Sequence, residues 1–206
     1  MLLDKQVPLA LVGVLTLLSV TLGHSWTDCT KYNTDTKKCE GHMRLYNGRG
    51  TAPADDWYTH KLEARPANAL LCDPKRQASL KYYAKFKIGS SYPGGTNHVL
   101  YRVNGHQAFA NTKVKVVYFA TDDIGKLKYA DLKKGQTVGE FTFMDKTRCD
   151  GNKDDSNCWG SYTVPENAPA GPKSFVWIWA FDQNPAGEEY SSCFDLIINP
   201  IVKAKL

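Results

Sequence analysis

From residue 78 onward, apolar and polar positions alternate in short runs. Leu80, Tyr82, Ala84, Phe86 and Ile88 recur at every second residue, which predicts a half-buried strand over 78–88. The same texture predicts strands over 98–103, 113–120 and 137–143. Three more, over 162–165, 174–181 and 192–199, close the series. Turn residues punctuate them at Ser91-Tyr92-Pro93-Gly94-Gly95, at Asn104-Gly105-His106 and from Thr121-Asp122-Asp123. Residues 144–159 read as a polar loop. Its run from Asp150 to Asn157 resembles a calcium loop but lacks the closing glutamate and flanking helices, so it reads as solvated. No stretch carries a long helical period. The pattern indicates an all-β chain: an antiparallel immunoglobulin-like or fibronectin-like β-sandwich.

The first third reads differently. Residues 24–77 show weak periodicity and many breakers (Gly41, Gly48, Gly50, Pro53, Pro66), which predicts a long irregular N-terminal loop region with room for short helical turns. Loops of that length in a compact domain usually serve function. The aromatics there, Trp26, Tyr32, Tyr46, Trp57 and Tyr58, either stack on sugar rings or plug one end of the sandwich. Ahead of them, residues 1–23 read as a secretory signal peptide. Lys5 supplies the positive start, Pro8 to Leu22 the apolar run, and Thr21 and Gly23 the small residues before the cut. The run is too short and wrongly flanked for a membrane span. A cut after Gly23 leaves a single domain over 24–206 that begins with His24 and is secreted.

Composition sharpens this picture in two places. The formal net charge of +5 comes without a Lys/Arg block, which argues against nucleic acid and suits an anionic polymer such as a uronic-acid chain. All six cysteines follow the leader, an even count that in a secreted chain reads as three disulfides, with the pairing left open by sequence alone.

Several chemistries are excluded. The chain has no Gly-x-Ser-x-Gly elbow, no phosphate-binding Gly-x-x-x-x-Gly-Lys loop, no His-Glu-x-x-His and no Cys-x-x-Cys pair. Five histidines remain: His24, His42, His60, His98 and His106. Only His24 has a chemical distinction. As an N-terminal residue it offers an α-amine and an imidazole to one metal, and a second imidazole would complete a three-nitrogen site suited to Cu(II). The residues alone leave open which of the other four supplies that ring.

On His24, the step Gly105-His106 between two strands, and the closing run Glu188-Glu189-Tyr190-Ser191-Ser192-Cys193-Phe194-Asp195, the chain resembles lytic polysaccharide monooxygenases. Thr163-Val164-Pro165, Ala170-Gly171-Pro172 and Val176-Trp177-Ile178-Trp179-Ala180 resemble that family's penultimate strand. The opening His-Ser-Trp-Thr-Asp-Cys is most similar to a small oomycete group that acts on pectin. The resemblance implies a copper histidine brace from His24 and His106, with Tyr190 in the axial position; His98, which also follows a turn, is the rival to His106 for the second ring. It implies that Glu188, or Glu189 one residue on, hydrogen-bonds the oxygen co-substrate. It also implies disulfides Cys29–Cys39, Cys72–Cys193 and Cys149–Cys158. The activity implied is oxidative cleavage of a plant cell-wall polysaccharide, pectin or homogalacturonan. It would need one copper ion, O2 or H2O2 and an external reductant, in a monomer without membrane or nucleic-acid partners. The alternatives are a secreted histidine-brace copper protein without oxidative activity, and a metal-free carbohydrate-binding sandwich.

Overall fold

The computed structural model describes residues 25–46, 48, 59–74, 87–106, 110–121, 124–153, 155–181 and 187–201. Among these the strands are β1 (Thr27–Cys29), β2 (Tyr32–Asn33), β3 (Lys38–Cys39), β4 (His60–Leu62), β5 (Gly89–Ser91), β6 (Thr96–Arg102), β7 (Lys113–Phe119), β8 (Gln136–Thr142), β9 (Asn157–Thr163), β10 (Gly171–Phe181) and β11 (Glu188–Ile198). Hydrogen bonding sorts them into a main sheet ordered β4-β11-β10-β7-β8, a small sheet ordered β1-β6-β9, and the hairpin β2-β3. The main sheet has a sixth strand, β5, which lies beside β11. The fold is the β-sandwich that the alternation predicts. One pairing departs from the antiparallel expectation, because β5 runs parallel to β11.

Alternation builds the core. Phe175, Trp177 and Trp179 of β10 point into the space between the sheets, with Tyr190, Phe194 and Leu196 of β11. Val99 and Tyr101 of β6 and Tyr162 of β9 meet them from the small sheet. The intervening residues Val176, Ile178 and Cys193 face the other way and pack with Leu62, Leu71, Val117 and Ile124. The main sheet is therefore covered on both faces, which is why β10 and β11 are buried almost throughout. Each such apolar side chain contributes roughly 1.5–3 kcal/mol by leaving water.

The N-terminal region is more ordered than its sequence pattern suggests. It supplies β1 to β4 and is tied down by charge. Arg44, fully buried, forks onto Asp195 of β11, with Nε to Oδ2 at 2.6 Å and Nη2 to Oδ1 at 2.5 Å. Three disulfides, Cys29–Cys39, Cys72–Cys193 and Cys149–Cys158, use every cysteine. Trp26 is 5% exposed and belongs to the core, so it plugs the sandwich and offers no face to sugar. Trp57 and Tyr58 lie outside the described residues.

Two strand boundaries correct the sequence reading, and a third expectation falls largely outside the described residues. Most of the expected strand over 78–88 lies outside the described residues, and Lys87 and Ile88 only lead into β5. The segment 144–159 is not loop throughout, since β9 starts at Asn157. Its inward position Gly160 has no side chain because the Phe141 ring occupies that space, so the alternation is invisible there. β11 starts at Glu188 and not at Ser192, because four polar residues, Glu188, Glu189, Ser191 and Ser192, are buried within it.

Candidate functional site

Local sequence fixes one side of the candidate site. β6 ends at Arg102, and Val103-Asn104-Gly105-His106 makes a tight turn closed by the His106 N–H donating to the Val103 carbonyl at 3.2 Å. Asn104 and Gly105 both have positive φ, 50° and 86°, the pairing that Asn-Gly tolerates best. The turn delivers His106 to the end of the sandwich, where it is 5% exposed. Its ring stands edge-on to Trp179 at 4.7 Å and to Phe181 at 5.4 Å, and lies 6.1 Å from Tyr190.

The other side comes from the β10–β11 pair. Register places Trp179 opposite Tyr190 and Phe181 opposite Glu188. Tyr190 stacks on Trp179 at 5.3 Å, and Trp179 stacks on Phe143 at 4.1 Å. The Trp179 indole N–H donates to Thr112 Oγ1 at 2.7 Å, which locks the ring against which both His106 and Tyr190 rest. Glu188 and Tyr190 are two apart on one strand and so share a face. The Tyr190 hydroxyl donates to Glu188 Oε1 at 2.5 Å. Burial, followed by this bond to a carboxylate, raises the phenol pKa above its ordinary value. β4 then adds a cation: Lys61 is opposite Tyr190, and its ammonium lies 2.8 Å from Glu188 Oε1.

The chain next to His24 reaches the same end. The buried Ser25 donates its hydroxyl to the Arg102 carbonyl at 2.6 Å, and its own carbonyl accepts from Thr59 Oγ1 at 2.8 Å. His24 itself lies outside the described residues.

The remaining sequence candidates separate clearly. His98 sits on the outward face of β6 opposite Ser161, in a groove with Lys31, Tyr32 and Asp35. Burial first, and Arg148 second, lower its pKa. Ser25 is bonded to Arg102, four residues farther along β6 toward His106. Glu189 points to the opposite face of the sheet from Tyr190 and pairs with Arg65 at 3.0 Å. His42 has its Nδ1 3.2 Å from the Asp28 carbonyl and stacks on Tyr46 at 4.7 Å. His60 has its Nε2 2.8 Å from the Leu70 carbonyl. In both, a ring N–H is placed to donate to a backbone carbonyl. The Asp150 carboxylate accepts from the Asn157 backbone and side-chain N–H groups, which close its loop.

The structure thus brings together His106, Tyr190 and Glu188, and sets His98 and Glu189 apart from them. Sequence reasoning passed over Lys61, Trp179 and Ser25 as parts of this site. Lys61 carries no local signal, because its role exists only through the β4–β11 register. Among the described residues no three His, Cys, Asp or Glu side chains cluster as a metal site. No described helix is long and apolar enough to cross a membrane.

No family model and no curated protein matches the chain. Among solved structures it is similar to LPMO10B from Micromonospora aurantiaca, at 14% identity and a TM-score of 0.37, over 63% of this chain and 68% of that one. It is also similar to a lytic polysaccharide monooxygenase important for efficient utilization of chitin in Cellvibrio japonicus, at 13% identity and a TM-score of 0.42, over 85% of this chain and 100% of that one.

Proposed function

We propose that the chain is a secreted copper-dependent lytic polysaccharide monooxygenase that cleaves an anionic plant cell-wall polymer, homogalacturonan or a related pectin. The observation that carries this reading is the convergence at one end of the sandwich. There the buried His106 faces the Tyr190–Glu188 pair, while Ser25, one peptide bond from His24, is tied to the strand that delivers His106. The net charge of +5 supports a uronic-acid substrate over a neutral one.

The residues fit copper by donor chemistry. His106 supplies one imidazole, and His24, freed by cleavage after Gly23, supplies an amine and a second imidazole. Three nitrogens suit tetragonal Cu(II). On this reading His24 is indispensable to the site, because His106 alone offers one nitrogen. Copper, once bound and reduced by an external donor, would supply the redox chemistry that activates O2 or H2O2 toward a sugar C–H bond. The protein's own contributions are positional. Trp179 and Phe181 fix the His106 ring. Tyr190, whose pKa is raised by burial and by Glu188, stays a neutral phenol and would be a weak donor to the metal at most. Glu188, held by the Tyr190 hydroxyl and Lys61, presents a carboxylate that can orient a small polar co-substrate and manage its proton.

The test is a product profile. Mature protein with copper and ascorbate should release oxidised oligosaccharides from homogalacturonan, and His106→Ala should abolish tight Cu(II) binding while His98→Ala should not. Loss of binding in His98→Ala alone would overturn the ligand assignment. Tight copper binding with no product from pectin, cellulose, chitin or xylan would reduce the protein to a copper carrier. A mature N-terminus other than His24, read by mass spectrometry, would remove the brace altogether.

A further inference from the structure

The main sheet carries a cleft on the face turned away from this site. Alternation along β7 puts Lys113, Lys115 and Val117 on that face, next to Ile178 and Ala180 of β10. The 3-10 turn Tyr129–Lys134 covers the sheet only in part, and between its Leu132 and the strands an opening of about 460 Å³ remains. Ala180 and Glu189, which pair across β10 and β11, line its end. They alternate with Phe181 and Glu188, so the cleft lies on the reverse of the same strand ends.

Its lining is unequal in a way that points to a ligand. The floor is aliphatic: Leu132 and Ala180 are half-buried, and the buried Val117 and Ile178 show only an edge. The rim carries three lysines, Lys113, Lys115 and Lys133, and two carboxylates, Glu140 and Glu189. Lys115 is paired with Glu140 at 3.7 Å, and Glu189 with Arg65 at 3.0 Å. The Lys113 ammonium reaches only a hydroxyl, Thr142 Oγ1 at 3.2 Å, and among the described residues neither Lys113 nor Lys133 has a carboxylate partner. The volume falls within the roughly 300–1,000 Å³ of small-molecule sites, which combine an apolar lining with a few placed charges. A hydrated sugar acid would waste the aliphatic floor, and an uncharged hydrocarbon would leave the lysines unanswered.

We propose that this cleft binds a small amphipathic anion, an organic carboxylate whose apolar body lies on Leu132 and Ala180, against the edges of Val117 and Ile178, and whose carboxylate meets the lysines of the rim. The proposal is independent of the copper reading, since it uses none of the brace residues.

The experiment titrates the folded mature chain with 4-hydroxycinnamate while following backbone amide resonances by NMR. Saturable shifts at Leu132, Ile178 and Ala180 are expected. The uncharged alcohol of the same ring should bind roughly tenfold more weakly, as should the K113E/K133E double variant, whose thermal midpoint should match the parent because both lysines are peripheral. A Leu132→Trp variant, which fills the opening while keeping the charges, should also lose binding. The proposal is overturned if the shifts map elsewhere or are absent, or if the alcohol or the charge-reversed variant binds as the carboxylate binds the parent. It is equally overturned if digalacturonate shifts the same residues at lower concentration, which would make the cleft a sugar-acid site.

Discussion

Asp195→Ala tests whether charge fastens the irregular N-terminal segment to the last strand. Arg44 and Asp195 are both fully buried, and the guanidinium meets the carboxylate with two N–H donors, at 2.6 and 2.5 Å. Ser174 joins the group, donating its hydroxyl to Asp195 Oδ1 at 2.6 Å. Removing the carboxylate leaves a guanidinium out of water beside a serine oxygen that cannot neutralise it. Breaking one partner of a buried pair costs about 3–5 kcal/mol, far more than the pair contributes relative to an apolar replacement. For a chain of this size the thermal midpoint should fall by about 10 °C. Arg44→Met/Asp195→Leu removes both charges together and should recover at least half of that loss. Urea unfolding followed by tryptophan fluorescence gives each free energy. A loss under about 1 kcal/mol in Asp195→Ala, or strict additivity of the single variants in the double, would refute the reasoning. The stakes reach the site. Arg44 lies in the same segment as Ser25, and Asp195 lies on the strand that bears Glu188 and Tyr190.

Three further outcomes follow from the same physics. Replacing the Cys72–Cys193 pair by alanines, which opens a loop of 121 residues, should cost about 5 kcal/mol, whereas the 9-residue Cys149–Cys158 loop should cost about 3; denaturant midpoints would show the order. Tyr190→Phe leaves the buried Glu188 without one donor and should cost about 1–2 kcal/mol in chemical unfolding without altering copper stoichiometry. Burial lowers the His42 pKa, so its contribution is complete above the unfolded value, near the ordinary 6.5, and is lost as pH falls through the folded value. Melting curves from pH 7.5 downward should therefore show a loss of stability beginning near pH 6.5, and His42→Gln should flatten that step.

The sandwich was legible because its central strands obey a simple period. Val114, Val116 and Tyr118 alternate inward, as do Val99 and Tyr101, and turn residues mark their ends. Where the period failed, a particular contact explains it. Gly160 is bare because the Phe141 ring fills the space its side chain would take. The strands β1 to β4 are two or three residues long, too short to show a period. They hold through the short-range Cys29–Cys39 bridge, through Arg44 on Asp195 and through pairing with distant strands, and the last two are not local in sequence. His106 was legible for the opposite reason: Asn-Gly before it encodes the turn that delivers it.

Glu188 and Glu189 show what only register can decide. Both are acidic, both are buried, and they are adjacent. In a strand, a one-residue step exchanges faces. Because Trp179 pairs with Tyr190, Glu188 must share the face of Tyr190, Trp179 and His106, and Glu189 must share the face of Ile178 and Leu62. Each glutamate then meets its own cation, Lys61 on one face and Arg65 on the other. A slip of one residue in β11 would send Tyr190 and Phe194 out of the main core and bring Ser191 and Cys193 into it, breaking Cys72–Cys193. The packing of two aromatic side chains and one disulfide therefore fixes which carboxylate shares the face of Tyr190. The position of that carboxylate is a consequence of the core, not a separate choice made at the site.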